Sequence, residues 1–302
     1  MIIVGIDENG LGPVLGPLVV TACAFRARIY SEDEFWALSD KSLLADDSKV
    51  VFKKNQKAKA ETAVLKWLNL FALSPSDAHE LYSQVCMPLP LPCPADNAHV
   101  CRPPKALAIP QYNASEFHVS EHIAARFETA GIHPLSAVAF TVCPGSYNDA
   151  LDSGERNKLQ LDFELMLQLV NQLKNNHPNE PILALCGKVG GTRCYSPWFA
   201  AAGAGAITIL EENRDRSRYQ LYGNCQMAFI KDGDSAHLPI AVASMVGKYL
   251  RELQMTEINE RLRQGQPHIS GYRDLKTKGF ITETETIRNS LGIPDRCFIR
   301  NC

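Results

Sequence analysis

The sequence lacks a strong charge of either sign, a long apolar run, closely spaced cysteine pairs and an internal repeat, and each absence removes a class of protein. Lys plus Arg number 31 against 33 Asp plus Glu, for a net charge of −2. No global field therefore draws the chain to a polyanion, and any nucleic-acid contact has to come from a local basic surface that the average conceals. No stretch of about 18 uncharged apolar residues occurs, which argues against a membrane span. Met1 leads straight into Ile-Ile-Val-Gly-Ile-Asp, which reads as a strand rather than a secretion leader, so a cytoplasmic location is expected. The ten cysteines, at 23, 86, 93, 101, 143, 186, 194, 225, 297 and 302, are scattered along the chain. Free thiols are expected from that usage. The tightest group, Cys86, Cys93 and Cys101 with His99, is spaced too loosely for the short spacers of a dedicated zinc site.

What is present is enough apolar material, 45% of 302 residues, to bury a large core, and a single elaborated domain over residues 1–302 is expected. Ile2 to Asp7 reads as a strand, followed by a glycine turn and a second apolar run from Val14 to Phe25, a hairpin pattern. A basic helix is expected from about Phe52, with apolar residues continuing at Ala63, Leu65, Leu68 and Phe71. Residues 86–104 hold six prolines and read as an extended insertion loop. Helices are expected over Asn113–Ala130, Lys158–Leu173, Pro239–Arg263 and Thr282–Leu291. Strands are expected over Leu135–Val142, Pro181–Cys186, Ala206–Leu210 and Gln226–Ile230. A helix feeding the buried run at 181–186 is a βαβ signature, which places the chain in the α/β class.

The segment Asp7-Glu8-Asn9-Gly10-Leu11-Gly12-Pro13 puts two adjacent carboxylates at a strand end, oxygen ligands suited to magnesium or manganese. The plain alternative is a solvated turn. A dinucleotide fingerprint is disfavoured, because the glycines at 10, 12 and 16 miss its spacing and the acids precede them.

The whole run from Ile6 to Pro17 resembles the opening motif of the ribonuclease HII family, Asp-Glu-Ala-Gly-Arg-Gly-Pro followed by a second Gly-Pro. Further matches follow in order: Asp47-Ser48-Lys49, the Leu-Ala-Leu-Cys186-Gly strand, Ser244 and Lys248 in the helix that runs on to Arg251-Glu252, and Lys278-Gly279-Phe280. The resemblance implies a ribonuclease H-like fold, with a mixed central sheet flanked by helices and a helical C-terminal tail, residues 264–302, near the substrate face. It also implies a Mg2+- or Mn2+-dependent endonuclease that hydrolyses the RNA strand of RNA–DNA hybrids, its one or two ions held by carboxylates. By position the catalytic set is Asp7, Glu8, Glu252 and Cys186, the last standing where the family has an acid, with Asp7, Glu8 and Glu252 as metal ligands. Gly10, Leu11, Gly12, Ser48, Lys49, Ser244, Lys248 and Phe280 fall at substrate-binding positions.

The departures from the pattern fall on the chemistry. Cys186 is too soft and too weakly acidic to hold magnesium well, so a second ion is short of ligands. Its bland reading is a buried apolar residue. Asp234 and Asp47 are candidate replacements for the missing acid. Leu11 replaces an arginine, Glu252 an aspartate, and Phe280 a tyrosine. Lys49, Lys53, Lys54, Lys57 and Lys59 fit either phosphate contact or a solvated helix face. Beside the endonuclease stand two other readings: a catalytically impaired relative that binds nucleic acid or a protein partner, and an unrelated enzyme on a similar sheet.

Overall fold

The computed structural model describes residues 1–53, 55–89, 91, 107–114, 117–262 and 268–301, without the side chains of 49 and 50. Among these residues the strands are β1 (Ile2–Asn9), β2 (Leu18–Arg26), β3 (His133–Val142), β4 (Ile182–Gly187), β5 (Thr208–Glu212), β6 (Arg216–Leu221) and β7 (Cys225–Ile230). They form one sheet in the order β3-β2-β1-β4-β7-β6-β5. β4 runs parallel to both β1 and β7, and the remaining neighbours are antiparallel. The sheet is therefore mixed, as expected. β1 is buried on both faces over its first five residues, which explains why it reads as an unbroken apolar run rather than an alternation.

The helices are α1 (Glu32–Trp36), α2 (Ser48–Val51), α3 (Lys57–Leu70), α4 (Ala78–Val85), α5 (Glu121–Ala130), α6 (Pro144–Asp152), α7 (Lys158–Asn176), α8 (Ser196–Ala201), α9 (Gly233–Ala236), α10 (Leu238–Leu262), α11 (Leu275–Glu283) and α12 (Glu285–Ser290). None is long and apolar enough to cross a membrane. α7 starts at a capping box, Asn157 with Gln160, and offers Phe163, Met166, Leu167 and Val170 to one side of the sheet. On that side they meet Ile2, Val4 and Ile6 of β1 and Ala184 and Cys186 of β4. α10 covers the other side, packing with α3 against Ile3 of β1 and Leu185 of β4. The alternation of side chains along β1 and β4 thus assigns each position to one layer or the other.

Several elements depart from the sequence reading. The basic helix expected from about Phe52 starts only at Lys57, as α3, after a turn in which Gln56 N–H donates to the Lys53 carbonyl. α5 begins only at Glu121, where Ser120 caps it by accepting from the Ile123 amide. The helix expected at 282–291 is the shorter α12, which follows the Thr284 junction, and a separate helix, α11, capped by Asp274, precedes it. β6 escaped notice because its inward residues, Ser217, Tyr219 and Leu221, alternate with arginines and a glutamine. Residues 90 and 92–104 of the proline-rich segment, with Cys93, His99 and Cys101, lie outside the described residues, as do Lys54 and the start of the C-terminal tail at 264–267.

Candidate functional site

At the carboxyl end of β1 lies a cleft of about 310 Å³ lined by residues from five parts of the chain. Asp7, Glu8 and Asn9 come from β1, and Gly10, Leu11 and Gly12 from the turn after it. Ser48 is the first residue of α2, Gly187 ends β4 and Lys188 follows it. Asp232 to Asp234 precede α10, which contributes Ser244 and Lys248 one turn apart. Tyr272 reaches in from the C-terminal tail. Six of the expected positions therefore meet here with the acid pair: Gly10, Leu11, Gly12, Ser48, Ser244 and Lys248.

The polar framework holds Asp7 in place. Ser244 Oγ donates to Ser48 Oγ at 3.0 Å, and Asn9 Nδ2 donates to the Ser244 carbonyl at 3.1 Å. Burial pushes the Asp7 carboxyl well above its ordinary range, and the neighbouring charges of Glu8 and Asp234 push it further, against hydrogen bonding to Ser244. A carboxyl raised in this way sits among uncompensated negative charge, the environment a hard cation relieves. Asp234, one of two acids considered as a replacement, stands in the cleft. Asp47 is not among the lining residues.

Three expected site residues belong elsewhere. Cys186 is fully buried in the apolar layer under α7, because it pairs in register with Ile6 and parallel partners point to the same face. Burial raises its thiol well above the ordinary value, so it offers no thiolate. The strand position beside Asp7 is the next one, Gly187. A Cβ built there would lie 2.5 Å from Asp7 Oδ1 and 3.6 Å from Glu8 Oε2. The side chain that would converge on the acid pair from β4 is thus a hydrogen atom.

Glu252 is also diverted. Its Oε1 lies 3.0 Å from Lys248 Nζ and its Oε2 3.0 Å from Lys57 Nζ, and it does not line the cleft. Burial would raise this carboxyl, yet the two lysines overcome that and hold it at about 2. Lys57 in turn lies 4.8 Å above the Tyr112 ring. Glu252 is therefore paired with Lys248 at the cleft wall.

Phe280 is the third correction. It is 0% exposed, with its ring 6.3 Å from that of Phe298 in a core built with Leu15, Met255 and Ile258. The aromatic residue at the cleft is Tyr272, 48% exposed. Phe280, expected at the substrate face, is turned inward by its place on α11. The side chain of Lys49 lies outside what is described.

Among the described residues no three His, Cys, Asp or Glu side chains close around a point as they do round a caged ion. Asp7 and Glu8, with Asp234 across the same cleft, nevertheless supply hard oxygen donors suited to one Mg2+ or Mn2+ that keeps water or phosphate in its shell.

No protein-family model and no curated protein sequence matches the chain. Its architecture does have solved counterparts. The ribonuclease H2 from Pyrococcus horikoshii OT3 is 13% identical, with a TM-score of 0.50 over 99% of this chain and 92% of that one. A mutant protein of Bst-RNase HIII is 13% identical, with a TM-score of 0.52 over 98% of this chain and 65% of that one. At such identities the likeness establishes the fold, a mixed sheet flanked by helices with further helices at the C-terminal end.

Proposed function

From the premise that the chain has a ribonuclease H-like fold, we propose that it binds an RNA–DNA hybrid across the Asp7 cleft and hydrolyses the RNA strand with the help of one Mg2+ or Mn2+ ion. The observation that carries this reading is the meeting of Asp7, Glu8 and Asp234 with Lys248, Ser244 and the glycine turn in one cleft. Asp7 and Glu8 would hold the ion, with Asp234 facing it across the cleft. When bound, such an ion neutralises charge on the phosphoryl oxygens and stabilises the departing oxygen.

The chain's own residues supply the rest. Lys248 and Lys188 on the cleft wall attract a phosphate, and Glu252 keeps the Lys248 ammonium in place. Ser244 hydrogen-bonds Asp7, and Asn9 holds the Ser244 carbonyl, so the acid is set before substrate arrives. The exposed Tyr272 ring offers a stacking surface for a sugar or base. Beyond it a groove lined by Arg273, Lys276 and Lys278 together with Asp274 and Leu275 carries a net positive charge that the chain's overall balance conceals, suited to a nucleic-acid backbone. Gly187 and Glu252 support a second reading, in which the protein binds hybrid without cutting it efficiently.

A labelled hybrid separates the two. Under the first reading the wild type cuts with Mn2+ or Mg2+ and Asp7→Asn does not. Binding by the wild type without cleavage under either ion establishes the second. If no variant binds or cuts the hybrid, both fail.

A further inference from the structure

The glycine turn of the cleft has lost the arginine of the related motif, Leu11 standing in its place, yet two other arginines grip the same turn from behind. Arg251 of α10 is 1% exposed and Arg300 near the C-terminus 2%. Arg251 Nη2 donates to the carbonyls of Leu15 and Ser270, each at 3.1 Å. Its side chain fills the space behind Gly10: a Cβ there would lie 2.6 Å from Arg251 Nε, and Gly10 has a φ of +94°, so this position accepts glycine alone.

Arg300 reaches the turn itself. Its Nη2 donates to the carbonyls of both Gly10 and Pro13, and its backbone N–H donates to the Val14 carbonyl at 2.8 Å. Ile299 pairs with Leu15 in an antiparallel bridge. The tail is anchored in turn, because Asn148 Nδ2 donates to the carbonyls of Arg296 and Ile299 at 2.8 Å each, and the Arg300 guanidinium lies 4.8 Å over the Tyr147 ring. Across a trans peptide the carbonyl and the following N–H point in opposite directions. With the Gly10 carbonyl drawn to Arg300, the Leu11 N–H is directed to the opposite side, where Gly10, Leu11 and Gly12 line the cleft. Among the described residues neither the Leu11 nor the Gly12 N–H has an acceptor.

We propose that Arg300 is a positioning residue, which sets the glycine turn through the Gly10 and Pro13 carbonyls so that the Leu11 amide faces the cleft as a donor to a phosphate or ribose oxygen. The inference rests on the nucleic-acid reading for the identity of the ligand, but not for the setting of the turn. Arg288 provides the control: it is buried in the same tail, donating to the Ile281 carbonyl and pairing with Asp295, without touching the turn.

Two measurements on the full chain test the proposal, each made at the same interval below the variant's own Tm. Fluorescence anisotropy with a labelled RNA–DNA hybrid, in the absence of divalent ions, is expected to show binding weakened about tenfold by Arg300→Met, in line with loss of a charge-assisted hydrogen bond, and unchanged by Arg288→Met. Hydrogen exchange at the Val14 and Leu15 amides, which donate to the Gly271 carbonyl, is expected to quicken in Arg300→Met alone. Equal binding losses in the two variants, or wild-type binding and exchange in Arg300→Met, overturn the proposal. If the wild type does not bind the hybrid, the functional reading fails and exchange alone judges the turn. If Arg300→Met does not fold, Arg300→Lys replaces it, with a smaller loss and the same faster exchange expected, and no change in either counts against the idea.

Discussion

Replacing Glu252 by Gln keeps the shape of the side chain and removes the charge that Lys248 and Lys57 share. The two N–O distances are both 3.0 Å, and the glutamate side chain is only 17% exposed, so solvent screens the arrangement little. The folded carboxyl is held at about 2 against an ordinary 4.5. At about 1.4 kcal/mol per pH unit, this difference corresponds to roughly 3 kcal/mol of stability at neutral pH, close to what breaking a buried ion pair costs. Because the folded value is depressed, the contribution is fully present above the unfolded value. It is lost as pH falls through the window between about 4.5 and 2. Urea denaturation of wild type and Glu252→Gln should therefore differ by roughly 3 kcal/mol at pH 7 and converge toward pH 2. Calorimetric titration with Mn2+ should give nearly the same affinity for both. A stability change below about 0.5 kcal/mol, or loss of Mn2+ binding with stability intact, would refute the structural role and return Glu252 to the metal site.

Two aromatic positions should separate in a complementary way. Phe280→Ala empties a buried site in the C-terminal core and is expected to cost about 3–5 kcal/mol in denaturation while leaving hybrid affinity intact below its Tm. Tyr272→Ala should do the reverse, weakening hybrid binding by about 1–3 kcal/mol with little change in stability; the opposite pattern would mean that Phe280 is the stacking ring. Asp162 of α7 is fully buried, among the described residues neither of its carboxylate oxygens has a hydrogen-bond partner, and burial followed by the charge of Asp7 raises its carboxyl. Asp162→Leu is therefore expected to raise stability by about 1–3 kcal/mol, read as a higher Tm, and a lower Tm would show that the carboxyl has a role the apolar layer does not reveal.

The parts of the fold that were legible in sequence are those whose signal is local. β1 and β4 are unbroken apolar runs, and α7 and α10 carry long apolar stripes, so the sheet centre and its two main helices could be placed. The acid pair and the glycine turn were legible because they are contiguous. The short helices α1, α4, α6 and α8 were missed, since a few residues hold too little periodicity to exceed the loop background. α11 was missed because its single deeply buried ring, Phe280, reads equally well as a surface residue.

What the sequence by itself determined is therefore the α/β class, the ribonuclease H-like resemblance and the start of the site at Asp7 and Glu8. Only the tertiary structure decided which other residues meet them. In a strand, one step in register turns a side chain to the opposite face, so the choice between Cys186 and Gly187 awaited the pairing of β4 with β1. In a helix, a lysine one turn before a carboxylate and another from a distant element decide whether it faces a cleft or an ion pair, and Lys248 and Lys57 decided it for Glu252. Asp7 and Glu8 needed only their own strand to be recognised; completing their site depended on contacts between segments far apart in the chain, which no local pattern encodes.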